Sequence, residues 1–137
     1  MNDRFIRLAA TLLLLSAVLG FGGSPLVDDA AAQGVTSRVQ FARGTSSATL
    51  EGAVVRGDRD TYIVGAKGGQ SMSVTISSLE RNAVFQISGP GGNELRGARE
   101  GDDTMKWSGT LPASGDYRII VGGTRGNASY TLRVSIR

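Results

Sequence analysis

Asp58 and Asp60 stand two residues apart in the run Asp58-Arg59-Asp60-Thr61-Tyr62. In extended backbone such a pair points to one side, and two carboxylates on one side begin an oxygen-rich corner. Calcium takes about six to eight oxygen ligands, so Asp58 and Asp60 are the calcium candidates, with Glu94, Asp102 or Asp103 reaching in from other loops. No EF-hand spacing accompanies them. The competing assignment is structural: Asp58 caps a turn, and Asp60 bonds backbone N–H groups or a nearby arginine. As a glycosidase pair they would need to stand roughly 5–9.5 Å apart across a sugar cleft, and short loops leave little material for one. The chain contains no histidine and no cysteine. That removes the usual general base, thiol catalysis, disulfides and sulfur-ligated metals. A non-enzymatic module is expected, with no cofactor unless calcium occupies the aspartates.

The remaining candidates are recognition elements. Arg125 sits between glycines in Gly122-Gly123-Thr124-Arg125-Gly126, where strand packing does not account for it. A presented arginine offers a planar fork for carboxylate, phosphate or sulfate. Ser114 and Gly115 form the tip of Leu111-Pro112-Ala113-Ser114-Gly115-Asp116-Tyr117, and Tyr117 follows them in phase with Ile119 and Val121. Ordinary turn chemistry explains much of that segment.

Those side chains need a scaffold, and an address. Arg4 and Arg7, the apolar run Leu8 to Leu19 and the small residues Ala30-Ala31-Ala32 follow the order of a secretory signal peptide. Cleavage after Ala32 would leave Gln33 to Arg137 as a single periplasmic or secreted domain, with no membrane span after cleavage. Residues 33–137 hold 13 Lys/Arg and 9 Asp/Glu, hence a net charge of 13 − 9 = +4. Eleven of the thirteen cations are arginine, which suits an anionic envelope polymer or an acidic protein face. No basic-aromatic stripe is present, and nucleic acid is not an expected partner.

Within that domain the apolar pattern has period two, the mark of strands with one dry face. Ser71 to Ser77 is the clearest case, with Met72, Val74 and Ile76 on one side. Short strands are also expected at Arg38–Phe41, Ala48–Val54, Asp60–Ala66, Ala83–Ser88, Glu94–Ala98 and Met105–Leu111, then from Tyr117 and from Tyr130. Lys67-Gly68-Gly69-Gln70 reads as a hairpin-like connection, and Gly89-Pro90-Gly91-Gly92-Asn93 as a turn. Trp107 and the three tyrosines fall on apolar faces. The fold class is all-β: an antiparallel two-sheet, jelly-roll-like sandwich of eight or nine strands, preceded by a signal peptide helix.

The runs Gly57-Asp58-Arg59-Asp60-Thr61-Tyr62, Ala66-Lys67-Gly68-Gly69-Gln70 and Leu111 to Tyr117 resemble the bacterial pre-peptidase C-terminal domain family, whose members are non-catalytic β-sandwich modules of exported proteins. Together with Phe41 to Ser47 and the Thr124-Arg125 loop, they also resemble the periplasmic inhibitors of goose-type (g-type) lysozyme. The resemblance spans nearly the whole domain. It implies an exported binding module, and a lysozyme as the sharpest specific partner. Inhibitors of this type place loop residues in the lysozyme cleft, and the matching positions are Asp58 to Tyr62, Ser114 to Tyr117, and Arg125. Arg59 stands where the resemblance leads one to expect an aromatic residue. The alternative function is a cell-envelope polysaccharide or peptidoglycan binder, assisted by calcium at Asp58 and Asp60.

Overall fold

The computed structural model describes Gly34–Arg137. The signal-peptide reading of residues 1–32, with Gln33, lies outside the described residues. Eight strands are present: β1 (Thr36–Arg38), β2 (Ser47–Val54), β3 (Arg59–Ala66), β4 (Ser71–Ser78), β5 (Ala83–Ser88), β6 (Lys106–Thr110), β7 (Gly115–Gly123) and β8 (Ala128–Ile136). They form two four-stranded sheets, ordered β1-β3-β7-β5 and β2-β8-β4-β6. The expected sandwich is therefore what forms. All pairings are antiparallel except β1 with β3, which is parallel.

Each strand lies in the opposite sheet from the strand before it. Every short connection is thus an arch over the end of the sandwich. This corrects the hairpin-like reading of Lys67–Gln70: β3 and β4 face each other across the core instead of pairing. The expected strand at Glu94–Ala98 is also absent. That segment makes an isolated bridge, Ser88 to Glu94, and Ile87 N–H donates to Ala98 O at 2.8 Å. The first strand is shifted too, to Thr36–Arg38, because Val35 is fastened at the start of β3. Val35 N–H donates to the Asp60 carboxylate at 3.0 Å, and Thr61 N–H to Val35 O at 2.8 Å.

The alternating residues meet between the sheets. Val64, Ile87, Tyr117, Ile119 and Val121 face Met72, Val74, Leu132 and Val134, all buried. Burying a side chain of this size contributes about 1.5–3 kcal/mol, which lets a domain without disulfides stand on its core. Trp107, opposite Val74 on edge strand β6, is half-buried against this core, and its indole N–H donates to Arg96 O at 2.9 Å.

The arches fall into two groups. Residues 67–70, 89–93 and 111–114 lie at the end where Ala66 pairs with Gly115. Residues 55–58, 79–82 and 124–127 lie at the end where Arg59 pairs with Gly122 and Val54 with Ala128. The ends are separated by about seven residue steps of ~3.3 Å, or roughly 23 Å.

Candidate partner-binding site

The candidate residues divide among the two ends and the interior. Asp60 and Tyr62, on the inward face of β3, are buried, with Asp60 only 2% exposed. The Tyr130 hydroxyl donates to the Asp60 carboxylate at 2.6 Å. That hydroxyl has one proton, so at the 2.7 Å contact between the two tyrosines Tyr62 donates and Tyr130 accepts. The rings meet edge to face, with centroids 6.5 Å apart. Gly52 on β2 makes room for this chain: a Cβ there would lie 2.5 Å from the Tyr130 hydroxyl. Burial drives both phenols' pKa values up from 10.0, for Tyr130 reinforced by the hydrogen bond to Asp60.

Asp58 lies outside the strand. Its N–H donates to Val55 O at 3.0 Å, closing the turn before β3. The extended backbone begins only at Arg59, and the Asp60 oxygens already accept from Tyr130 and Val35. Among the described residues, no three Asp or Glu side chains converge as a metal ion would require.

Ser114, Gly115 and Tyr117 belong to the first end, where their polar groups are used internally. Gly68 N–H donates to the Ser114 hydroxyl at 2.9 Å. The Tyr117 hydroxyl donates to Ala113 O at 2.6 Å, and the ring is fully buried. Gly115 has φ +142°, and a Cβ there would come within 2.8 Å of Pro90, so only glycine fits. Nearby, Arg38 and Asp116 form an exposed ion pair at 2.7 Å. The hydrogen bond from Arg38 holds the Asp116 carboxyl below its usual range.

Arg59 and Arg125 sit at the opposite end with Asp58. Arg59 donates to the Gln86 side chain at 3.0 Å and reaches Glu100 at 3.4 Å. It borders an open depression of about 420 Å³ lined by Asp58, Gln86, Arg99, Glu100 and Thr124. Arg125 is exposed, and one guanidinium N–H donates to Glu80 O at 3.0 Å. No carboxylate pairs with it among the described residues.

Asn82, which the sequence did not flag, braces this end. It is buried, and its side-chain amide donates to Arg125 O at 3.2 Å and Asn127 O at 3.0 Å. Its own carbonyl accepts from Thr124 N–H at 2.9 Å. Ser78 Oγ accepts from the backbone of Asn82 and Ala83, and Arg56 N–H donates to the Asn127 side chain. Three arches are thereby fixed to one another, presenting Arg125 on a rigid support. An Asn between a charged tip and an alanine is a weak sequence signal. Its partners lie more than forty positions away.

The chain is 35% identical over 132 residues to the inhibitor of g-type lysozyme of Escherichia coli K12, an alignment covering 93% of this chain and 89% of that protein. It belongs to the family of periplasmic inhibitors of g-type lysozyme. Family members are inhibitors rather than enzymes, so this chain is a non-catalytic, periplasmic binding module. The crystal structure of the periplasmic g-type lysozyme inhibitor of Aeromonas hydrophila matches with a TM-score of 0.64 and 37% identity, covering 77% of this chain and 99% of that one. The Salmonella Typhimurium inhibitor gives 0.61 and 32%, with 77% and 100% covered. The pre-peptidase C-terminal domain of a Bacillus anthracis collagenase shares the fold at 16% identity, with a TM-score of 0.56 and coverage of 74% and 94%. No protein-family model matches the chain.

Proposed function

We propose that this protein inhibits a g-type lysozyme by docking the Arg125 end of the sandwich against the enzyme's substrate cleft. The carrying observation is Arg125: exposed, without a carboxylate partner among the described residues, and held on a loop fixed through Asn82. Glycosidases generally present carboxylates at the scissile bond, and a guanidinium is the side chain best shaped to pair with one. Asp58 and Arg59, beside the depression on the same end, are the neighbouring contacts. Ser114 and Gly115 stand at the far end, with the serine hydroxyl engaged by Gly68, and do not share this interface. Asp60, Tyr62 and Tyr117 act from inside by holding the arches in place. Calcium has no role in this reading, because both Asp60 oxygens are engaged by Tyr130 and Val35.

The test is inhibition of cell-wall lysis by a goose-type lysozyme. Arg125→Ala should weaken inhibition by roughly 10- to 100-fold, the cost typical of a central interface arginine, without lowering the melting temperature. Ser114→Ala and added EDTA should leave inhibition unchanged. Absence of inhibition at micromolar protein, or full inhibition by Arg125→Ala, would sink the proposal.

A further inference from the structure

Three large hydrophobic side chains of the described domain remain exposed: Val35 at 55%, Val55 at 52% and Leu79 at 98%. A single exposed leucine has no meaning by itself. Their placement does: all three lie at the end that carries Arg125, and none at the end formed by residues 67–70, 89–93 and 111–114. Val55 begins the arch that ends at Asp58, Val35 is fastened to Asp60, and Leu79 begins the arch that Asn82 closes.

Leu79 is also held in place. Ser78, directly before it, accepts two backbone N–H groups through Oγ, and its carbonyl accepts from Arg81 N–H at 3.1 Å. Arg81 adopts φ +55°, a left-handed conformation that a non-glycine residue takes at a cost. Glu80, the next residue, receives the Arg125 guanidinium on its carbonyl. The leucine is therefore displayed on a braced loop next to the proposed contact arginine, and little backbone ordering entropy remains to be lost on binding.

We infer that Leu79 is a second anchor and specificity determinant of the inhibitory face, inserting into an apolar recess of the lysozyme beside the site that receives Arg125. This inference rests on the inhibitor reading. The occupant is the lysozyme because Leu79 and Arg125 are joined through Glu80 and Asn82, so a partner seated on one covers the other. Burying a leucine lowers the free energy enough to change affinity by roughly 10- to 100-fold.

The experiment compares wild type, Leu79→Ala and Leu79→Asp in the lysis assay against a goose-type lysozyme. Melting curves and sedimentation of each protein accompany it. Leu79→Ala should raise the half-inhibitory concentration about 10-fold and Leu79→Asp about 100-fold, with melting temperatures unchanged because the side chain is 98% exposed. Inhibition by both variants equal to wild type overturns the inference and leaves the inhibitor reading standing. A wild-type dimer that Leu79→Asp dissociates, with inhibition unaltered, also overturns it, assigning the leucine to a second copy of the chain. A wild type that inhibits no goose-type enzyme is recognised before any variant is compared. That result removes the inhibitor reading and this inference with it.

Discussion

Replacing Tyr130 by phenylalanine keeps the ring in the core and removes one oxygen atom from the middle of the Tyr62–Tyr130–Asp60 chain. The Asp60 carboxylate then loses its 2.6 Å donor, and the Tyr62 hydroxyl loses its 2.7 Å acceptor. Asp60 is 2% exposed, and Tyr62 5%, so bulk water does not reach either group freely. A hydrogen bond to a charged group is worth about 1.5–3 kcal/mol, and an orphaned buried hydroxyl costs about 1–3 kcal/mol. Allowing for local relaxation, Tyr130→Phe should destabilise the domain by ~3 kcal/mol. For a domain of this size that lowers the melting temperature by roughly 12–20 °C. Tyr62→Phe removes only the terminal donor and leaves Tyr130 bonded to Asp60, so its cost should be about 1 kcal/mol. Urea unfolding followed by Trp107 fluorescence measures both. Equal losses for the two variants, or a loss under about 1 kcal/mol for Tyr130→Phe, would refute the directional chain.

The same pair should set the alkaline limit of the fold. Both phenols are raised in the folded state above the ordinary 10.0, so their contribution to stability is constant below that pH. Above it only the unfolded chain loses these protons. Unfolding free energy should then fall by about 1.4 kcal/mol per pH unit for each tyrosine. Tyr62→Phe should reduce that slope, read from urea midpoints between pH 8 and 11; a slope no different from wild type counts against the assignment. Gly52→Ala would drive a methyl to 2.5 Å from the Tyr130 hydroxyl and 3.1 Å from that of Tyr62. It should cost about 1–3 kcal/mol through overpacking, and a wild-type melting curve for Gly52→Ala would show that the chain is not confined there.

Strand positions were legible because a sandwich strand has one wet face and one dry one, and Ser71–Ser78 shows that alternation residue by residue. Ala83–Ser88 emerges with the expected bounds for the same reason. What local pattern cannot carry is pairing. Whether Lys67–Gln70 turns within a sheet or arches between sheets depends on β7 and β8, which arrive some fifty residues later. Asp60 shows the same limit. The sequence left Asp60 open between a calcium ligand and an acceptor of backbone N–H groups; it accepts from Val35 N–H, but its second donor, Tyr130, lies seventy positions away. Glu94–Ala98 has the composition of an edge strand but is drawn down to Ile87 through single bonds instead of a ladder. The candidate contacts were found residue by residue, but their division between two ends follows from topology alone.

That division separates two kinds of loop made from similar residues. At the Ser114 end the donors and acceptors are spent on one another: Gly68 on Ser114, Tyr117 on Ala113, Gly69 on Leu111. At the Arg125 end the backbone is braced with equal care, but among the described residues no carboxylate pairs with Arg125, and Leu79 stays 98% exposed. A domain whose residues 33–137 carry a net charge of 13 − 9 = +4 receives no long-range attraction from a basic enzyme. Affinity for such an enzyme must then come from short-range contacts made after encounter. These are the contacts that a rigid end can offer when its Arg125 has no carboxylate partner among the described residues and its Leu79 is exposed.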